Sequence, residues 1–272
     1  MTMKIQDKLK EFQQQKKAIL ATNFYNLETL QGILIAASRC DAPVILQLTR
    51  SSIEYIGLKE AVALARKSLD SYGVEGWIHL DHGDSFDLVR DCLEQGFDSV
   101  MIDASNEPFD KNVAITCRVV EEAAKYGANV EAELGYIAKL GQEQDGIYTT
   151  VEEASAFVKQ TGVDALAIAI GSAHGFYKSA PNLNIDRLKE IHAAVDTILV
   201  LHGSSGIPDQ MLTDAIRNGI TKVNLATEIK NTFMKALKQT LLNTDEIDLR
   251  KVFPEATKKV VELLTEKFKL IS

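Results

Sequence analysis

Five histidines occur in this 272-residue sequence, and three of them, His82, His174 and His202, are each followed directly by glycine. With glycine at about 7% of residues, three or more such pairs among five arise by chance roughly three times in a thousand. Neutral imidazole is a favoured zinc ligand, and glycine lets a chain leave a strand tightly and come close to a ligand. Three protein ligands around an open fourth position is the arrangement of a catalytic zinc. Any one of these histidines alone reads equally well as a hydrogen-bonded residue at the start of a loop; the three together favour a metal centre. His79 reads as a packed or supporting residue, and His192, inside a helical pattern, as a surface one.

Carboxylates stand close to these positions in the sequence. Asp81 immediately precedes His82, where it is placed to exchange a proton with a metal-bound hydroxyl; capping a loop is its plainer role. Glu133 and Asp103 could act as further metal ligands or accept from the ring N–H groups of ligating histidines, with structural ion pairing as the alternative. Two segments suit a phosphate group: His202-Gly-Ser-Ser-Gly206, and Asn224-Leu-Ala-Thr227 at the start of a helical pattern. Backbone N–H groups and a helix N-terminus favour an anion there.

The elements that must position these groups alternate along the chain. Short apolar runs at 18–22, 43–47, 77–80, 99–102, 129–134, 165–170, 198–201 and 222–224 read as strands. Helical patterns at 27–39, 54–69, 86–95, 111–125, 151–160, 186–195, 209–218 and 228–242 lie between and after them, and 252–269 adds one more. Eight βα units predict a TIM (β/α)8 barrel of a single domain over 1–272, with an extra C-terminal helix. An open doubly wound sheet also alternates strands and helices, but no G-x-G-x-x-G follows the first strand. In a barrel, functional side chains gather at the C-terminal strand ends. Asn23, Thr49, Asp81, His82, Asp103, Glu133, His174, His202, Asn224 and Thr227 all fall there.

Composition narrows the partners. Hydrophobic residues at 46% and charged residues at 25% suit a globular chain able to bury a core. A net charge of −8 with no Lys/Arg run argues against nucleic acid, so a phosphorylated substrate must be captured locally. Cys40, Cys92 and Cys117 are scattered and odd in number, which fits a reducing cytoplasm better than a disulfide framework. The N-terminal segment reads as an amphipathic helix without the apolar core of a signal peptide, and no apolar stretch is long enough for a membrane.

LDHG at 80–83, SVMIDAS at 99–105, VEAELG at 130–135, AIAIGSAHGFYK at 167–178, LHGSSGIP at 201–208 and KVNLATE at 222–228 together make the chain resemble the class II, metal-dependent ketose-bisphosphate aldolases, which include fructose- and tagatose-bisphosphate aldolases. The resemblance covers essentially the whole chain. It implies that His82, His174 and His202 bind one catalytic Zn2+, that Asp81 is the proton-transferring acid/base, and that Glu133 and Asp103 match a second or alternative site for a divalent or monovalent cation. It implies a dihydroxyacetone-phosphate cradle of Gly175, Gly203, Ser204, Ser205, Asn224 and Thr227, with Asn23 near the substrate. Thr49 stands where a serine often faces the distal phosphate, and Glu143 resembles the glutamate that exchanges a proton at the carbon beside the carbonyl.

The activity so implied is reversible cleavage of a phosphorylated ketose to dihydroxyacetone phosphate and an aldehyde, by a homo-oligomer, dimer or tetramer. The phosphate loop departs from the usual HGGSG or HGASG by reading HGSSG. Arg50, Ser51 and Ser52 form an unusual segment after the second strand, so specificity for the distal half of the sugar is expected to depart from plain fructose bisphosphate. A sulfonated ketose phosphate or a deoxy-keto-sugar acid phosphate would present the same half to the metal. A Schiff-base aldolase needs a pocket lysine, for which Lys222 and Lys178 are the candidates. A metal-dependent hydrolase and a non-catalytic phosphosugar-binding subunit complete the alternatives; retention of three histidines and Asp81 argues against the last.

Overall fold

The computed structural model describes residues 3–135, 137, 148–177 and 181–272. Its eight parallel strands close into a barrel in sequence order: β1 (Ile19–Asn23), β2 (Val44–Leu48), β3 (Gly76–Gly83), β4 (Ser99–Ile102), β5 (Asn129–Leu134), β6 (Ala165–Ile168), β7 (Ile198–Leu201) and β8 (Ile220–Leu225), which pairs back onto β1. The helices are α1 (Ile5–Gln14), α2 (Leu27–Arg39), α3 (Arg50–Ile56), α4 (Leu58–Tyr72), α5 (Phe86–Glu94), α6 (Phe109–Ala124), α7 (Val151–Thr161), α8 (Ile185–Ala194), α9 (Asp209–Arg217), α10 (Thr227–Leu242) and α11 (Leu249–Ile271). The fold is the TIM barrel that eight alternating units predict. No helix among the described residues is long and apolar enough to cross a membrane.

Two of the differences from the sequence expectation have a clear local reason. The single helix expected over 54–69 is two helices, because Gly57 adopts φ 95 between α3 and α4 and stops the ladder. The sixth strand ends at Ile168 rather than Ile170, since the chain beyond it turns to Thr149: the Ala169 N–H donates to Thr149 Oγ1, and the Thr149 N–H to the Ala169 carbonyl.

Side chains alternate across each strand, so every strand contributes to two environments. Outward residues such as Leu20, Leu46, Ile78, Val100, Leu166 and Leu199 pack under the helical ring. Inward residues near the strand starts, among them Ile19, Ala21, Ile45, Trp77, Ala165 and Ile198, meet Ile5, Leu9 and Phe12 of α1. Helix α1 thereby plugs the lower end, and the Trp77 indole N–H donates to the Met3 carbonyl at 2.9 Å. Above this apolar floor the barrel interior turns polar: Gln47, His79, Glu131 and Lys222, then Asn23, Asp81, Glu133, His202 and Asn224, are all buried. Buried polar groups of this kind are tolerated only when partnered, so their hydrogen bonds define the site.

Candidate metal centre and active site

Strand β3 places His82 by distortion. His82 has φ 49, a left-handed conformation that side chains other than glycine rarely adopt, and the β3–β4 register slips between Leu80 and Gly83. A Cβ on Gly83 would overlap the Met101 carbonyl, so only glycine lets β3 lie this close to β4. Gly203, with φ 66, is tighter still: a Cβ there would overlap the backbone of Ala173. The glycine after His202 therefore lets the loop after β7 rest on the loop that carries His174. Tyr177 straps the same two loops, its hydroxyl accepting from the Ala173 N–H at 2.9 Å and donating to the Gly203 carbonyl at 2.8 Å. At Gly83 and Gly203 the missing Cβ lets one backbone approach another.

The three histidines meet. Ring centroids are 4.9 Å apart for His82 and His174, 4.8 Å for His82 and His202, and 5.8 Å for His174 and His202. One nitrogen from each, with a Glu133 carboxylate oxygen, lies within 4.8 Å of all the others. Hydrogen bonds at the far ring nitrogens dictate which atoms face inward. His82 Nδ1 is 2.8 Å from Asp103 Oδ2, leaving Nε2 toward the centre. His202 Nε2 is 2.8 Å from Glu131 Oε1, leaving Nδ1 only 3.1 Å from His82 Nε2. Among the described residues, Glu133 Oε2 is buried without a hydrogen-bond partner. An orphaned carboxylate oxygen among converging imidazole nitrogens is the donor set that suits a zinc-like divalent cation, so the residues fit one.

Burial and neighbouring charge divide the metal-free groups into two sets. Burial lowers His174 to about 3, and burial also lowers His202, so both rings are neutral and able to ligate. His82 behaves oppositely: burial acts to lower it, but the Asp81 carboxylate and the bond to Asp103 raise it to about 9. Burial, then the neighbouring Asp103 charge, raises Glu133 to about 8. Asp81 stays below the ordinary carboxylate range, because His82 and His202 outweigh the burial that would raise it. Its Oδ2 accepts from Asn23 Nδ2 at 2.9 Å and its Oδ1 from Asn224 Nδ2 at 3.4 Å, which aims an ionised carboxylate across the pocket floor.

A cavity of about 270 Å3 opens over these groups; Asn23, Thr49, Asp81, His82, His174, Gly175, His202, Gly203, Ser205, Asn224 and Thr227 line it. A larger cavity of about 700 Å3 lies between α2 and α11, but it contains no histidine and lies away from the strand ends, so chemistry belongs to the smaller one. Not every expected residue reaches the pocket. Ser204 is buried with its Oγ donating to the Asn224 carbonyl at 2.6 Å, which fastens the β7 loop to β8 rather than presenting a hydroxyl to a ligand. Asp103 lies outside the four-residue ligand group; Ser105 Oγ donates to its Oδ1 at 2.7 Å, and it holds the His82 ring. Thr49 lines the pocket and also caps α3 by accepting from the Ser52 N–H. Glu143 and Lys178 lie outside the described residues.

Sequence reading missed Glu131 and left Lys222 only as a Schiff-base candidate. The usable signal was period two: Glu131 shares its strand face with Glu133, Lys222 with Asn224, and His79 with Asp81. Lys222 Nζ donates to Glu131 Oε2 at 2.6 Å, and against that ammonium Glu131 remains ionised although burial opposes it. Burial, then Lys222, pushes His79 down to about 3, and its Nδ1 is 2.8 Å from Ser99 Oγ. His192 is exposed, as expected of a surface residue.

Comparison with known proteins converges on one family. The family model for class II fructose-bisphosphate aldolase matches residues 3–272. The YdjI aldolase from Escherichia coli K12 is similar at 33% identity and TM-score 0.90, with 100% of this chain and 98% of that chain covered. A putative fructose-1,6-biphosphate aldolase from Coccidioides immitis is similar at 27% identity and TM-score 0.90, covering 98% and 96%. Fructose-bisphosphate aldolase from Campylobacter jejuni, at 20% identity, TM-score 0.84 and coverage of 97% and 93%, carries the likeness of fold alone. A barrel with this cluster at its open end, matched over nearly its whole length by one family, belongs to the class II fructose-bisphosphate aldolases and is a lyase of aldol chemistry.

Proposed function

We propose that the chain reversibly cleaves a phosphorylated ketose of the fructose- or tagatose-1,6-bisphosphate type between C3 and C4, releasing dihydroxyacetone phosphate and an aldehyde. The observation that carries this reading is the convergence of His82, His174, His202 and Glu133 within 4.8 Å beside an ionised Asp81. The three histidines would hold one zinc, with the buried Glu133 Oε2 as a further donor and Asp103 orienting His82. Bound zinc supplies Lewis acidity that stabilises negative charge on the ketose oxygens as the carbon–carbon bond breaks.

The chain's own groups do the rest. Asp81 accepts the C4 hydroxyl proton, held in line by Asn23 and Asn224. Gly175, Gly203, Ser205 and Thr227, at the N-terminus of α10, hold the phosphate of the dihydroxyacetone half. Fixing that phosphate positions the C3–C4 bond over Asp81, so orientation and charge stabilisation share the work. Glu143 is assigned the return of a proton to the carbon left behind, and Thr49 the distal end of the substrate. A Schiff-base route through Lys222 is disfavoured because its ammonium is buried and ion-paired. Homo-oligomerisation as a dimer or tetramer belongs to the same proposal. So does a cytoplasmic setting, with Cys40, Cys92 and Cys117 all free.

Chelation tests the chemistry. Activity should be lost on rigorous metal removal and recovered with zinc, and release of triose phosphate should be followed on fructose, tagatose, sulfonated and keto-acid sugar phosphates. Full activity in the metal-free protein, with borohydride trapping of substrate on a lysine, would overturn the proposal.

A further inference from the structure

Lys222 sits beneath the metal centre with 1% of its surface exposed, and it does not line the pocket. Burying an ammonium costs several kcal/mol unless it is fully partnered. Here every donor has an acceptor on a different strand: Glu131 Oε2 on β5 at 2.6 Å, His79 Nε2 on β3 at 3.4 Å, and, with the Gln47 amide oriented to satisfy both its ends, the Gln47 oxygen on β2 at 3.2 Å. An ammonium only donates, so the facing Nε2 accepts and the neutral His79 ring carries its proton on Nδ1, toward Ser99 Oγ on β4. An apolar side chain would fill the same space without this requirement.

The consequence of the arrangement lies one residue further on. With Oε2 drawn to Lys222, the Glu131 carboxylate has its rotation fixed, and Oε1 points at His202 Nε2 from 2.8 Å. Two groups lie near Nε2, the Glu131 carboxylate at 2.8 Å and Asn224 Nδ2 at 3.1 Å; the nearer one accepts only, so it draws the His202 proton to Nε2 and turns the Nδ1 lone pair toward His82 Nε2 and Glu133 Oε2, 3.1 and 3.9 Å away. We infer that Lys222 is a positioning residue: acting through Glu131, it fixes His202 in the tautomer and ring orientation that presents Nδ1 to the metal. The inference rests on His202 being a ligand, as proposed above, and adds that the ligand's geometry is set by a cation it never touches.

The test is zinc affinity of the full chain, measured by competition with a chromophoric chelator, alongside the cobalt-substituted absorption spectrum and the thermal unfolding of the metal-free protein. Lys222→Met should weaken zinc binding about 10- to 100-fold and alter the cobalt spectrum, with kcat reduced more than KM is raised. Because that variant leaves Glu131 buried and unpaired, Lys222→Met/Glu131→Gln removes both charges while keeping a neutral acceptor against His202. The double variant should fold and bind zinc more weakly than wild type but more tightly than the single variant. Wild-type zinc affinity and an unchanged cobalt spectrum in the folded double variant would overturn the inference, even if unfolding temperature fell. His202→Ala separates the two levels: if zinc affinity depends on His202 but not on Lys222, only this inference fails, whereas affinity independent of His202 overturns both it and the metal-centre proposal.

Discussion

Asp81 and His82 are adjacent in sequence, yet their surroundings divide them into opposite roles. Asp81 is kept ionised by nearby imidazoles and is aimed by Asn23, whereas His82 is turned outward from the strand by its φ of 49 and held by Asp103. Asp81→Asn keeps the shape and removes the base, so kcat should fall by about 10²- to 10⁴-fold with bound zinc unchanged, as a coupled triose-phosphate assay and metal analysis would show. The His82–Asp103 pair predicts a pH dependence for the zinc-free protein. The folded value of His82, about 9, lies above its ordinary 6.5, so the pair's stabilisation is complete below about 6.5 and is lost as pH rises through about 9. Urea unfolding in chelator across that window should show the decline, and Asp103→Asn should reduce it, with Asp81 still holding His82 up. At this scale the sequence singled out His82, His174 and His202, which the fold brings together, and Asp81 beside them. It was not legible for Glu131 and Lys222, whose meaning lies in partners 91 residues apart.

Strands were legible where a short apolar run stood between helical patterns, as in β4, β5 and β7. The α3–α4 break was not, because a single glycine inside a helical pattern stops a helix only when its backbone takes a positive φ, and that depends on tertiary context. Loops carry the matching lesson for the site. At Gly203 the backbone has φ 66 and no room for a Cβ beside Ala173, whereas Gly96 has φ 83 with nothing within 4 Å of the same position. Gly96→Ala should therefore report backbone strain alone, and Gly203→Ala should add overlap and displace the loops that bear His174 and His202. Expected in zinc-free urea unfolding is a loss of more than about 1 kcal/mol for Gly203→Ala, exceeding that for Gly96→Ala, with zinc affinity reduced only in the former.

For the whole molecule, the division of the barrel into an apolar lower half and a polar upper half matters more than any one contact. Helix α1 completes the lower half by burying Ile5, Leu9 and Phe12 against inward strand residues, a contribution of about 1.5–3 kcal/mol for each side chain fully removed from water. Deleting residues 1–14 should lower the unfolding temperature and expose apolar surface to a hydrophobic dye, because the barrel floor would face solvent. An unchanged transition would show that α1 is dispensable.

The same floor holds the sequence's single tryptophan, Trp77, buried at 2% exposure among aliphatic side chains at the end opposite the metal centre. Intrinsic fluorescence of this protein is thus a one-site signal with a blue-shifted emission maximum. It reports whether the barrel is closed at its base while remaining spectroscopically blind to the pocket, so titrations at the open end can be followed with the integrity of the fold as an internal reference.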